Sequence, residues 1–200
     1  MSAGIAFEET MRGAFALGEA DPERGAAAGR RAGTRLAMHA GVVIDDLAAF
    51  LADAGHPGGL GGRVDFSPLG VDLGASGGVF RLFSSAGDDG MGRRMVYELA
   101  LPVDGVDYYL AGEKRVRDDP GPDLWRDTTT LYTRLHRGTD TGGEVVGAGI
   151  LELGVPQLTA LLSTLRITGD GDARTLAAFG GFFFGELWEL YAPLARGGRP

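Results

Sequence analysis

The chain has 200 residues, 44% of them hydrophobic, a formal net charge of −8 and no cysteine. That length and composition fit one globular domain with a sizeable core, and the missing cysteine excludes a disulfide framework, a thiolate metal site and a Cys nucleophile. The acidic balance, with no basic stripe beyond "GRRAGTR", argues against a nucleic-acid partner, whose phosphates require clustered cations.

The start, "MSAGIAFEETM", has no basic segment followed by an apolar one, so no secretory signal is read and a cytoplasmic location is expected. The densest apolar stretch, "FGGFFFGELWELY", is interrupted by Glu186 and Glu189 and is too short to span a bilayer. Glycine, at 35 residues, is concentrated in runs such as "GHPGGLGGR" and "TGGE", which signal many turns.

Residues 5–17 alternate with period two: Ile5, Phe7, Glu9, Met11, Phe15 and Leu17 share one face, the pattern of a half-buried strand. Residues 18–33 are rich in Gly, Ala and Arg and read as a mobile connection. Residues 34–44 alternate again, with Leu36, Met38, Ala40, Val42 and Ile44 on one side. A short helix follows in "IDDLAAFLADAGHPGG", capped by Asp45 and stopped by Gly55 and Pro57.

Further strands are expected near 61–66, 77–84, 93–101, 105–117, 125–137 and 144–153, joined by glycine-containing turns. The fold class is mainly β: about eight antiparallel strands in a meander, closed into a lipocalin-like barrel. "VPQLTALLSTLRITG" and "DGDARTLAAFGGFFFGELWELYAPLA" form two C-terminal helices, which pack outside the sheet or close one barrel end. The whole chain, 1–200, is one domain, with the barrel at 5–153 and the helices at 155–194.

Polar residues within apolar strand rows are the candidate site. Glu9 lies between Phe7 and Met11; Lys114, the only lysine, follows Tyr108, Leu110 and Gly112; Asp127 and Thr129 lie between Trp125 and Leu131; Tyr97 lies between Met95 and Leu99. If those rows face inward, two carboxylates, one ammonium and two phenols share a cavity. Such groups are what proton transfer near neutral pH requires. Glu9, Lys114 and Asp127 are the catalytic candidates; Met11, Met38, Tyr97, Tyr108, Trp125 and Thr129 are the substrate-contacting ones. A structural reading stands beside this one: Lys114 pairs with Glu9 or with Asp127, or extends its head to solvent at a strand end. The opposite faces carry Arg94, Glu98, Asp107, Glu113, Arg115, Arg126, Arg134 and His136, expected as cross-strand ion pairs on a solvated surface.

His39, His56 and His136 are far apart in sequence and form no metal motif. The run Asp118, Asp119, Asp123, Asp127 lacks the order and closing Glu of a calcium loop, and Asp119-Pro120-Gly121 is good turn chemistry by itself. No dinucleotide fingerprint, Walker loop or Gly-x-Ser-x-Gly elbow occurs. No metal and no cofactor is therefore expected.

"FEETMRG", "IDDLAAFLADAGHPGGLGGRV", "GVFRLF", "RRMVYEL", "EKRVRDDPGPDLWRDTTTLYTRLHRG" and "FGGFFFGELWELYA" together resemble a domain appended to cholesterol-oxidase-like flavoproteins of the glucose–methanol–choline type in actinobacteria. The resemblance runs from Phe7 to Ala192. It implies contact with large, greasy, polycyclic molecules and assigns no catalytic residue. The flavin domain is not part of this chain, so the expectation is a domain acting alone or in trans, beside a flavoprotein or another biosynthetic enzyme. Small lipocalin-like barrels are also similar in architecture to cofactor-free polyketide cyclases, an analogy of fold that does not fix function. Two functions follow as expectations: a cofactor-independent cyclase or isomerase acting on a polyketide- or steroid-like molecule, or a non-catalytic module that binds such a ligand for a separate oxidoreductase.

Overall fold

A computed structural model describes residues 2–85, 92–117 and 128–196. Eight strands run antiparallel in chain order: β1 (Ala3–Leu17), β2 (Arg35–Ile44), β3 (Pro57–Phe66), β4 (Gly70–Ser85), β5 (Gly92–Val103), β6 (Val106–Arg117), β7 (Thr130–Arg137) and β8 (Glu144–Glu152). β1 closes the barrel, pairing with β2 from Ile5↔Ile44 to Ala14↔Arg35 and with β8 from Arg12↔Glu152 to Leu17↔Gly147. A ninth short strand, β9 (Arg166–Gly169), pairs with Ala3–Ala6 where β8 does not reach. The mainly β meander barrel expected from the alternating rows is therefore present, with its short helix α2 (Leu47–Ala52) after β2.

The inward rows are those the alternation marked. Ile5, Met11 and Phe15 on β1, and Leu36, Met38, Ala40, Val42 and Ile44 on β2, are buried. Leu99 and Leu101 on β5, Leu110 and Val116 on β6, and Leu131 and Leu135 on β7 join them. One end of the bore is filled by Phe15 against Phe66, ring centroids 5.1 Å apart. The other end is closed by the C-terminal helix α4 (Ala173–Arg196): Phe179 packs against Phe7, Phe182 against Phe50 and His56, and Phe183 against Phe83.

The helix before it, α3 (Val155–Thr164), instead covers the seam of β1 between β9 and β8. There Thr164 Oγ1 accepts the Glu8 N–H at 2.9 Å, replacing a strand partner. None of the described helices is long and apolar enough to cross a membrane.

Several local expectations are corrected. Residues 18–33 are not a mobile connection; Pro22–Ala32 is a helix, α1. Its buried face is Gly25, Ala26 and Gly29 instead of large apolar side chains, so no hydrophobic period advertises it. Its termini are nonetheless well signalled. Asp21 caps Glu23 and Arg24 N–H groups, Pro22 sits in the first turn, and Gly33 ends the helix at φ 70°. β3 and β4 begin earlier than the alternation indicated, at Pro57 and Gly70, because glycines blur the period. The register shifts between Leu60 and Gly62, and Gly62, at φ 145°, approaches the His39 carbonyl so closely that a Cβ would lie 1.9 Å from it. That is the signature of a bulge that bends the sheet. Thr128 and Thr129 form a helical turn before β7 where strand was expected, residues 125–127 lie outside the described residues, and "RITG" is a strand where a helix tail was expected.

α1 lies flush on the barrel because Gly25 and Gly29 have no side chain. A Cβ on Gly25 would lie 2.0 Å from the Ala148 carbonyl oxygen, and one on Gly29 would lie 2.5 Å from the Phe15 nitrogen. Helix propensity alone favours Ala over Gly by about 1 kcal/mol. The backbone contact reverses that sign: Gly25→Ala and Gly29→Ala should each destabilise the fold by about 1–3 kcal/mol, measured as a lowered midpoint in urea unfolding.

Candidate functional site

A polar cluster of three residues lies in the bore. Glu9 enters from β1, Tyr97 from β5 and Lys114 from β6. All three are buried, at 5%, 3% and 2% exposure. Lys114 Nζ donates to Glu9 Oε1 at 3.1 Å and to the Tyr97 hydroxyl oxygen at 3.1 Å. The Tyr97 O–H in turn donates to Glu9 Oε2 at 3.5 Å, and the ammonium also lies 4.9 Å from the Tyr97 ring centroid.

The strand order explains how they meet. β5 and β6 are neighbours with Met95 opposite Lys114 and Tyr97 opposite Gly112, so Tyr97 and Lys114 sit on a diagonal of one face. β1 is three strands from β6 by way of β8 and β7. Glu9 therefore crosses the bore, and the long lysine stem lets the two charges touch while its methylenes pack against apolar walls.

Burial, then the Glu9 carboxylate, push the Tyr97 phenol well above its ordinary value. Loss of a proton would place a second anion beside Glu9 without water. Tyr97 thus remains an O–H donor.

Of the candidate residues, Glu9, Lys114 and Tyr97 are brought together. Met11 and Met38 face each other across the β1–β2 pair, one step deeper than Glu9, and line the same bore. Tyr108 stands opposite Leu101 near the far end of β6. Six residues separate it from Lys114, about 20 Å at strand rise, so it is not part of the cluster. Thr129 is buried just before β7 and borders a cleft outside the barrel. Trp125 and Asp127 lie outside the described residues. Of the three structural readings of Lys114, the pairing with Glu9 is the one present, and the 2% exposure of Lys114 rules out a head extended to solvent; Asp127 lies outside the described residues.

The outer faces differ from the expected lattice of cross-strand ion pairs. Arg134 and Glu98 both stand opposite Ala111, which separates them by two strand spacings. Glu98 accepts instead from the Tyr109 hydroxyl at 2.8 Å, and Arg115 bonds Glu113 on its own strand at 2.6 Å. Arg126 lies outside the described residues.

Sequence reasoning also missed a hydrogen-bond relay on the outside of β1–β3. Thr10 Oγ1 lies 3.0 Å from His39 Nδ1, and His39 Nε2 lies 3.2 Å from Asp65 Oδ2. The Asp72 N–H and then His39 hold the Asp65 carboxyl below its ordinary value. The three lie at positions 10, 39 and 65, and only the strand registers make them neighbours. Neither of the two clefts described for the surface includes any of them. Among the described residues no group of three or more His, Asp or Glu could hold a metal ion.

Comparisons of the chain with family models, with curated proteins and with solved structures give no match.

A buried ion pair is weak evidence of stability, but breaking one half is costly. Lys114→Met strands the Glu9 carboxylate and should cost about 3–5 kcal/mol, whereas the triple change Glu9→Leu, Tyr97→Phe and Lys114→Met, which leaves no buried polar group of the cluster unpaired, should be near neutral or stabilising. Chemical unfolding of the set measures this. The tyrosines give an alkaline signature. Desolvation and Glu98 push Tyr109 up to about 12, and burial with the Glu9 carboxylate raises Tyr97 well above its ordinary value. Both folded values exceed the unfolded one, so their stabilisation is complete below about pH 10 and is lost as pH rises through the folded values. In an absorbance titration, the Tyr97 phenolate signal should appear only with unfolding.

Proposed function

We propose that this protein is a cofactor-independent isomerase or cyclase that works inside its barrel on a hydrophobic, oxygen-bearing small molecule of steroid or polyketide type. The observation that carries the reading is the Glu9–Tyr97–Lys114 cluster at the centre of an apolar bore. A well-packed apolar trio of the same volume would hold a barrel together as well or better, so packing alone gives no reason for the polar one. The resemblance to domains appended to sterol-type flavoproteins adds the expectation of a polycyclic or similarly greasy ligand.

The chemistry that fits is proton transfer next to a carbonyl. A ligand entering from the α4 end displaces Phe179 and Phe182 and brings its carbonyl oxygen to Lys114 and Tyr97. Glu9 takes a proton from the adjacent carbon; the C–H electron pair moves into the C–C bond, and the charge develops on oxygen, where the ammonium and the phenol donate hydrogen bonds. The protonated Glu9 then returns the proton to a different carbon, or the enolate carbon attacks an electrophilic carbon of the same molecule to close a ring. Isomerisation leaves the mass unchanged and needs no oxidant. Positioned acid–base groups contribute about 10²–10⁴-fold to such steps, and holding a flexible chain in its reactive conformer adds more.

A second reading is a binding module that presents the same kind of ligand to a separate oxidoreductase. Its supporting observation is that the three polar groups already satisfy one another, so they can anchor a ligand oxygen without turnover.

Incubation with a β,γ-unsaturated 3-ketosteroid and with a linear poly-β-ketone, read by mass and retention time, separates the two. An enzyme shifts retention at constant mass, or with loss of water after ring closure, and Glu9→Gln should lower the rate by at least about 100-fold with the fold retained. Thermal stabilisation by a ligand recovered unchanged supports the binding module. Neither turnover nor stabilisation with either compound overturns both.

A further inference from the structure

A second, independent polar site lies on the outside of the barrel. His136 on β7 is only 6% exposed. Its Nδ1 lies 3.0 Å from the Gly143 carbonyl oxygen. A carbonyl only accepts, so Nδ1 carries a proton, which leaves Nε2 as the ring nitrogen free to meet a ligand. Among the described residues Nε2 has no partner, nor is it sealed away from solvent. His136 lines a cleft of about 510 Å³ over the outer faces of β4 to β7.

The rest of the lining sets the charge. Arg81, Arg94 and Arg134 border the cleft, above a floor of Val96, Ala111 and Gly112. Its two carboxylates are already engaged: Glu98 by the Tyr109 hydroxyl and Glu113 by Arg115. Arg134 uses Nε on the Ala20 carbonyl at 3.1 Å, which leaves its terminal nitrogens available. Among the described residues the guanidinium groups of Arg81 and Arg94 have no hydrogen-bond or ion-pair partner. A chain of net charge −8 thus gathers three arginines around one mostly buried histidine.

We propose that this cleft binds the phosphate monoester group of a small molecule. Arginine guanidinium groups match the anionic oxygens, and a phosphate monoester offers both a P–O–H donor and P–O⁻ acceptors, so it can complement Nε2 whether that nitrogen accepts or donates. A carboxylate brings two oxygens in one plane and one charge, which cannot span three arginines and the imidazole together.

The test follows the three histidine rings by NMR in ¹⁵N-histidine protein at pH 6, titrated with inorganic phosphate and with phenyl phosphate. The expected result is a saturable shift at His136 Nε2, with His39 and His56 unmoved. Acetate should bind at least about tenfold more weakly, and Arg81→Gln with Arg94→Gln should weaken phosphate binding by about tenfold or more. Both arginines are exposed, and unchanged His39 and His56 signals certify the fold of the variant. The proposal is overturned by a linear or absent response, by an equal response to sodium chloride at matched ionic strength, by equal affinity for acetate, or by full binding in the double variant. Because the barrel interior takes no part, failure here leaves the proposed reaction untouched.

Discussion

The contact between Glu9 and Lys114 organises the interior. Two opposite charges taken out of water must touch or be neutralised, and these touch across the bore, at 3.1 Å. That distance is available only because eight strands give a barrel narrow enough for side chains to meet in the middle. It also requires the inward row of β1 and the inward row of β6 to be in phase, since a slip of one residue on either strand would turn a charge outward. Tyr97 completes the cluster from the next strand, and its raised phenol keeps a proton between two groups that would otherwise compete for one hydrogen bond.

The aromatic end of the barrel is the counterpart of that dry centre. Phe7, Phe80 and Tyr97 form a chain of edge-to-face contacts, with Phe7–Phe80 at 6.1 Å and Phe80–Tyr97 at 5.2 Å. It leads from the phenylalanines of α4 toward the polar cluster. Apolar side chains there exclude water and strengthen every electrostatic contact below them. The same apolar path suits a hydrophobic ligand, because replacing one set of ring contacts by another changes little in apolar area. α3, by comparison, has no side-chain cap and leaves Val155 and Leu162 largely exposed. It closes the seam of β1 with one threonine side chain against the Glu8 backbone, not with a strand ladder.

Inside and outside follow opposite rules. Within the bore Glu9, Tyr97 and Lys114 find their partners among one another. In the cleft over the outer face of β4–β7 the carboxylates are occupied by neighbours on the same or the adjacent strand, and the guanidinium groups of Arg81 and Arg94 are left over. The difference comes from register. Ala111 stands between Arg134 and Glu98, so these complementary charges on outward rows of the same sheet do not meet.

The sequence by itself determined the barrel strands and their inward rows, because strict alternation has a single period and one apolar face must be buried. It also marked Glu9, Tyr97 and Lys114, since a polar residue in such a row has no bland place to go. It could not show α1, whose packing face is glycine and alanine, nor the starts of β3 and β4, where glycine erases the alternation. Tertiary structure alone decided which of the marked residues share a cluster. Tyr108 lies on the same row as Lys114 yet stands about 20 Å away along the strand, while Glu9, 105 residues earlier in the chain, is in contact. The relay of Thr10, His39 and Asp65 and the free nitrogen of His136 were equally invisible, because both depend on cross-strand neighbours and a carbonyl that only the closed, staggered sheet brings into place.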